Sequence, residues 1–388
     1  WHVRAVNAGG TTYAEGSDTA FWSFTTAISP PGAFNKSAPT DAATGVSTSP
    51  TLSWGTSTGA TTYEYCYDTT NDNACTGWTD NGTATTVGLS SLTEGATYYW
   101  HVRAVNAVGT TYAEGSDTAF WSFTTAISPP GSFNKTSPTD TATDVSTSPT
   151  LSWGTSTGAT TYEYCYDTSD DGACTGWTDN GTATTVGLSS LTEGATYYWH
   201  VRAVNAGGTT YAEGSDTAFW SFTTAISPPG AFNKTSPTDT ATDVSTDPTL
   251  SWGTSSGATS YEYCYDTSDD NDCTGWIDNG TATTVGLSSL TEGATYYWHV
   301  RAVNAGGTTY AEGSDTAFWS FTTAISPPGA FNKSAPTDAA TGVSTSPTLS
   351  WGTSTGATTY EYCYDTTNDN ACTGWTDNGT ATTVGLSS

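Results

Sequence analysis

The sequence predicts an all-β chain laid out as a linear array of sandwich domains, and three observations predict it. The heptapeptide Trp-His-Val-Arg-Ala-Val-Asn begins at Trp1, Trp100, Trp199 and Trp298, always 99 residues apart, which is the length of a domain and not of a solenoid repeat. Around it, Tyr98, Trp100, Val102 and Ala104 alternate with Tyr99, His101 and Arg103, the period-2 pattern of a strand with one buried face. The composition points the same way. Gly (41) and Pro (16) with abundant Ser and Thr, and no apolar run at helical spacing, favour short strands joined by turns.

The 388 residues thus divide into about four domain equivalents. Apolar residues make up only 35%, but Trp (16), Tyr (22) and Phe (12) bury a large area per side chain and supply each unit with a core. In chain order, residues 1–28 read as the last two strands of a unit, one at Trp1 and one at Phe21–Thr26. Three whole units follow at 33–126, 132–225 and 231–324, and residues 330–388 read as the first part of another. Between them recurs Ile-Ser-Pro-Pro-Gly, as at Pro30-Pro31-Gly32 and Pro129-Pro130-Gly131. Adjacent prolines lock φ, so these linkers are expected to be stiff spacers.

Within the first whole unit each strand has its own signal. Thr51-Leu52-Ser53-Trp54 follows Pro50 and places Leu52 and Trp54 on one face. Tyr63-Glu64-Tyr65-Cys66-Tyr67 puts three tyrosines on one face and Cys66 on the other, so core-facing tyrosines leave the cysteine on the outer face, where a bond would pin a hairpin edge. Asp80-Asn81-Gly82 is a tight-turn signal before the short strand from Ala84 to Leu89. Leu92 leads into the Tyr98 strand, and Phe120-Trp121-Ser122-Phe123 closes the unit. Seven or so short strands in about 100 residues give an immunoglobulin-like sandwich as the default.

Trp54, Leu92 placed six residues before Tyr98, the Tyr-x-Trp-x-Val-Arg-Ala-Val-Asn strand and the closing Trp-Ser-Phe-Thr-Thr together resemble a fibronectin type III domain of the bacterial extracellular kind. The resemblance covers the whole chain, repeated. It implies a seven-stranded sandwich with Tyr98 as the tyrosine corner. The cysteines depart from that family's usual pattern, and no Arg-Gly-Asp is present.

The eight cysteines fall into one pair per unit: Cys66 and Cys75, Cys165 and Cys174, Cys264 and Cys273, Cys363 and Cys372. Local pairs with none left over fit disulfides and an oxidising, extracellular setting, whereas Cys-x8-Cys with no nearby His is not a zinc pattern. Asn-x-Ser/Thr occurs twice per unit, giving candidate glycosylation sites at Asn35, Asn81, Asn134, Asn180, Asn233, Asn279, Asn332 and Asn378. The loop from Asp68 to Asn73 gathers oxygen ligands suited to calcium, with Asp68 and Asp72 as the candidates. Its spacing is not an EF-hand's, and Asp/Asn-rich turns arise for conformational reasons, so no metal or cofactor is assigned. Trp78 and its counterparts Trp177, Trp276 and Trp375 are either sugar-stacking rings or packing over the disulfide or the sheet edge, and the packing reading is preferred.

Function is bounded mainly by exclusion. A formal charge of −29 repels nucleic acid and anionic membrane surfaces, and no segment is long and apolar enough to insert as a helix. His2, His101, His200 and His299 sit on the alternate face of their strands with no nucleophile specified, so catalysis is not expected and a solvated face is. Residues 298–388 repeat residues 1–91 without a difference, while the intervening units vary at positions such as Val108 (Gly9 and Gly207 elsewhere), Asp247 and Ile277. The larger period is therefore 297 residues, as in a window on a longer polymeric protein; the sharper alternative is that residues 330–388 are completed by residues 1–28 of another chain, strand complementation that builds a head-to-tail filament. The expected function is structural: an extracellular fibre, filament or cell-surface stalk. The alternatives are a multivalent adhesin or carbohydrate-binding array, and a passive spacer of a larger secreted protein.

Overall fold

A computed structural model of the chain describes residues 1–367, 369–372 and 374–387. They divide into two compact units, 1–224 and 225–388. The first holds residues 1–28 and all the strands of the sandwiches of 33–126 and 132–225; the second holds the strands of the sandwich of 231–324 and those of residues 330–388.

In residues 1–28 a hairpin of β1 (Arg4–Asn7) and β2 (Gly10–Tyr13) forms, but Phe21–Thr26 is not a strand. This corrects the sequence expectation. In a whole sandwich the matching run pairs with the residues of 97–100, and residues 1–28 contain only the Trp of that stretch.

The sandwich of 33–126 shows the architecture. Its strands are β3 (Lys36–Ala38), β4 (Ala43–Val46), β5 (Thr51–Trp54), β6 (Thr62–Asp68), β7 (Thr79–Asp80), β8 (Thr86–Gly88), β9 (Thr97–Asn106), β10 (Gly109–Tyr112) and β11 (Trp121–Thr125). One sheet has the order β3-β5-β8 and the other β4-β11-β9-β6-β7, with β10 also on β9. All pairings are antiparallel except β4 with β11.

The core lies between the sheets, where Leu52, Trp54, Tyr63, Leu92, Trp100 and Phe123 interlock. Trp100 and Phe123 lose all exposure, which is where aromatic bulk offsets a low aliphatic content. Tyr98 closes the corner: its hydroxyl accepts from the Thr93 N–H at 3.0 Å, as do Tyr197 from Thr192 and Tyr296 from Thr291. That is the tyrosine corner the resemblance implies. The sandwiches of 132–225 and 231–324 repeat the strand order and register.

The long strand β9 organises each sandwich. Its first half pairs with β11 and its second half with β10 along one edge, while β6 runs along the other. The chain between β10 and β11 must therefore leave the sheet and return. It does so through a tight turn at Ala113–Gly115, in which Glu114 takes φ 54°, a left-handed conformation that ordinary residues adopt at some cost.

Candidate functional site

The alternate face of β9 is not solvated. His101 has no exposure at all, nor do His200 and His299, which overturns the expectation of outward, hydrated histidines. The cause is the excursion between β10 and β11, together with the loop beyond Cys75. The Phe120 ring lies 4.9 Å from the His101 ring, Tyr112 stacks on it at 5.8 Å, and Trp78 approaches it at 6.1 Å. A period-2 reading finds one buried face; here the chain covers the second with its own loops.

Antiparallel register sets the pairs on this face. Glu64 lies opposite Arg103, and Cys66 opposite His101. Arg103 Nε and Nη2 reach the same Glu64 oxygen at 2.6 and 2.5 Å, and the Trp78 ring covers the guanidinium at 4.3 Å, a cation–π contact. Trp78 is accordingly half-buried, in the packing role and not the displayed one.

Lys36 enters from the facing sheet with its side chain wholly buried. Its Nζ donates to Glu114 Oε2 at 2.6 Å, to the Ala119 carbonyl at 2.6 Å and to His101 Nδ1 at 3.2 Å, and the Glu114 Oε1 accepts from the Lys36 N–H at 2.7 Å. His101 Nε2 lies 2.8 Å from the Ser116 carbonyl. A carbonyl only accepts, so Nε2 carries the proton and Nδ1 offers its lone pair to the ammonium.

Burial and the adjacent Lys36 charge hold the His101 pKa down to about 4, and the same causes act on His200 and His299. Burial also lowers Lys36, against the pull of Glu114 and Asp41. Both ring nitrogens are engaged, so the imidazole is a neutral structural bridge with no nitrogen free for proton transfer. The clusters Lys135–His200–Glu213 and Lys234–His299–Glu312 repeat it.

Sequence reasoning missed this cluster, although a signal was present. The chain has eight basic residues, Lys36, Lys135, Lys234 and Lys333 with Arg4, Arg103, Arg202 and Arg301, and they occupy only two positions of the repeat. In each whole sandwich both are bonded to a Glu.

Cys66–Cys75, Cys165–Cys174, Cys264–Cys273 and Cys363–Cys372 are all disulfide-bonded, with Cα–Cα distances of 6.0–6.1 Å. Cys66 lies on the outer face as read from the sequence, but it is buried. In the loop they close, Asp68 Oδ1 accepts from the Thr70 N–H and Asp72 Oδ1 from the Ala74 N–H. These are Asx turns. Among the described residues no group of three or more His, Cys, Asp or Glu is placed to hold a metal ion.

The eight sequon asparagines separate into two classes. Asn81 Nδ2 donates to the Ala84 and Thr86 carbonyls at 2.8 and 3.1 Å, and Asn180, Asn279 and Asn378 do the same. That nitrogen is engaged by the turn. Asn35, Asn134, Asn233 and Asn332 are exposed beside the first strand of their units.

The linkers are docked along their length. Asn106 Nδ2 donates to the Ser29 carbonyl at 2.8 Å, Thr111 Oγ1 to the Pro31 carbonyl at 2.6 Å, and the Gly32 N–H to the Thr58 carbonyl at 2.8 Å. Asn205 and Thr210 hold Ser128 and Pro130 in the same way, as Asn304 and Thr309 hold Ser227 and Pro229. Proline fixes φ but has no N–H, so at Ser29 and Pro31 the sandwich binds the linker through its carbonyls, and the N–H of Gly32 adds a bond past the prolines. Ser128 is also held from the preceding sandwich, where Glu94 accepts from its N–H at 3.1 Å and from its hydroxyl at 2.5 Å.

No family model matches the chain, and no curated protein is similar to it. Among solved structures, the FN1-FN3 domains of chicken CNTN1 align with 76% of this chain and 99% of that chain, at 16% identity and a TM-score of 0.25. The chain is an all-β tandem of repeated β-sandwiches similar in fold to fibronectin type III domains, and this rests on its own strand order and tyrosine corner.

Proposed function

We propose that the chain is a structural component of an extracellular fibre, filament or cell-surface stalk, whose task is to hold near-identical sandwiches in succession. The observation that carries this reading is the docked linker. Each of the three Pro-Pro segments that precede a whole sandwich is fastened by an Asn and a Thr of that sandwich, at the same positions of the repeat. A flexible string of beads would have no use for those bonds, whereas a load-bearing array requires repeated, defined connections.

The disulfides support an oxidising location. The bacterial extracellular kind, to which the sequence resemblance points, fits the same reading. With both basic residues of a sandwich consumed in ion pairs, the remaining charge is acidic and discourages sideways collapse. An adhesive array would need Trp78-type rings offered to a ligand, and in the whole sandwiches these rings are spent on Arg103 and its counterparts.

Electron microscopy of the native material, with a reducing gel of the same sample, tests the proposal. Uniform fibres with a regular axial repeat are expected. Irregular strings ending in a distinct head would overturn it in favour of a spacer, and the gel separates one long chain from many short ones joined by strand complementation.

A further inference from the structure

We propose that the residue two positions beyond the linker-binding Asn selects the pose of the junction, glycine giving one interface between consecutive sandwiches and Val108 another. In the sandwich of 132–225 this position is Gly207, and a β-carbon there would fall 2.2 Å from the Ile127 carbonyl oxygen and 2.7 Å from its carbon. At Gly306 the corresponding distance, to the Ile226 oxygen, is 2.1 Å. Both obstacles are backbone, which no rotamer change relieves. Only glycine admits this contact.

Val108 stands at the same position in a sandwich of the same strand order. The rest of its linker site is intact. Asn106 still holds the Ser29 carbonyl, Thr111 still holds Pro31, and Pro30 packs 3.3 Å from where a β-carbon of Gly109 would lie, as Pro129 packs by Gly208 at 3.4 Å. The docked segment is therefore common to both kinds of junction from the serine onward. What a valine displaces is the isoleucine before it, so the pivot is the Ile–Ser peptide.

Displacement there reaches the preceding sandwich. Ile127 packs its side chain on Gly95, where a β-carbon would lie 3.0 Å from it, and Ser128 is tied to Glu94. Moving the Ile127 backbone while Asn205 retains Ser128 changes how the two sandwiches meet. Because the sequence period is 297 residues with one valine at this position, one junction in three differs. The inference goes beyond the structural role proposed above and stands whether or not the chain forms fibres.

The test uses the full chain with Gly207→Val, bearing spin labels on non-canonical residues at the exposed positions Thr83 and Thr182, one in each sandwich. The variant is expected to shift or broaden the inter-label distance distribution and to speed amide exchange at Ser128 by about tenfold, with no change in the melting of either sandwich. The parent sandwich of 33–126 already carries a valine there, which argues that the variant folds. Should it misfold, Val108→Gly only removes atoms and is expected to slow exchange across residues 27–29. A Gly207→Val chain with the parent distance distribution and the parent Ser128 exchange, or a Val108→Gly chain with unchanged exchange at 27–29, would overturn the proposal.

Discussion

Residues 33–91 and 330–388 carry one sequence in two surroundings. In the first, Phe34 is 6% exposed and Lys36 is buried; in the second, Phe331 is 48% exposed and Lys333 lies in the open. The three-stranded sheet survives in both, with Lys333 facing Trp351 and Thr348 facing Gly385 as Lys36 faces Trp54 and Thr51 faces Gly88. The other sheet does not. The strand of Thr62–Asp68 shrinks to Glu361–Tyr362, and no counterpart of Ala43–Val46 forms among the described residues.

Residues 1–28 tell the same story from the other end of the repeat: Trp1 is 58% exposed where Trp298, in the same heptapeptide, has no exposure. Pairing within the three-stranded sheet is thus local, whereas the other sheet and both faces of β9 are made by contacts across the whole unit. One feature crosses that divide. The left-handed Glu of the Ala-Glu-Gly turn forms at Glu15 (φ 58°), which has no lysine partner among the described residues, as it does at Glu114, so the turn does not depend on the lysine.

The contrast is broken most severely by Trp199→Ala. Removing a fully buried indole is expected to cost that sandwich about 3–5 kcal/mol, read as loss of one calorimetric transition, while Trp1→Ala leaves every transition in place. Acid is next. In the native state His101, His200 and His299 hold pKa values of about 4 against 6.5 when free. Between those values only the unfolded chain takes up the proton, so stability falls as pH drops through that window. The loss is on the order of 3 kcal/mol per sandwich, within a cluster that also contains Lys36, Glu114 and Asp117. Denaturant midpoints at pH 7 and pH 4 measure it.

Glu213→Ala leaves Lys135 buried without its carboxylate and is expected to cost about 2–3 kcal/mol, whereas Lys135→Met, which removes the charge itself, costs about 1 kcal/mol or less. Lys333→Met, on the exposed copy, should change nothing measurable. A Lys333 effect as large as that of Glu213→Ala would sink the idea that the cluster exists only in whole sandwiches. Tyr197→Phe, the smallest perturbation, deletes one corner hydrogen bond and lowers that sandwich's stability by about 1 kcal/mol in urea titration.

How far the sequence could be read follows from the same contrast. The 99-residue period, the core face of Tyr98, Trp100, Val102 and Ala104, and the cysteine pairs are patterns within a stretch of chain, and each has its place in the fold. The burial of His101 is not such a pattern. Its cover comes from Trp78, Tyr112, Phe120 and Lys36, and the Lys36–Glu114 pair joins residues 78 positions apart. Phe21–Thr26 misled for the converse reason: it has a strand's composition, but a strand needs its neighbour. Linker docking was half legible, since Pro-Pro announced stiffness while the Asn and Thr that fasten it belong to β9 and β10.

Pulling the full chain at constant speed in a single-molecule force experiment, with and without reductant, tests most directly whether the array consists of separately cored sandwiches in series. Each of the three whole sandwiches is predicted to open in its own step, releasing roughly 300 Å of chain, and reductant should lengthen every step by about 25 Å as the loop between paired cysteines, nine positions and 6.0 Å apart, is freed. A single rupture of the whole chain, or steps that ignore reductant, would contradict the account.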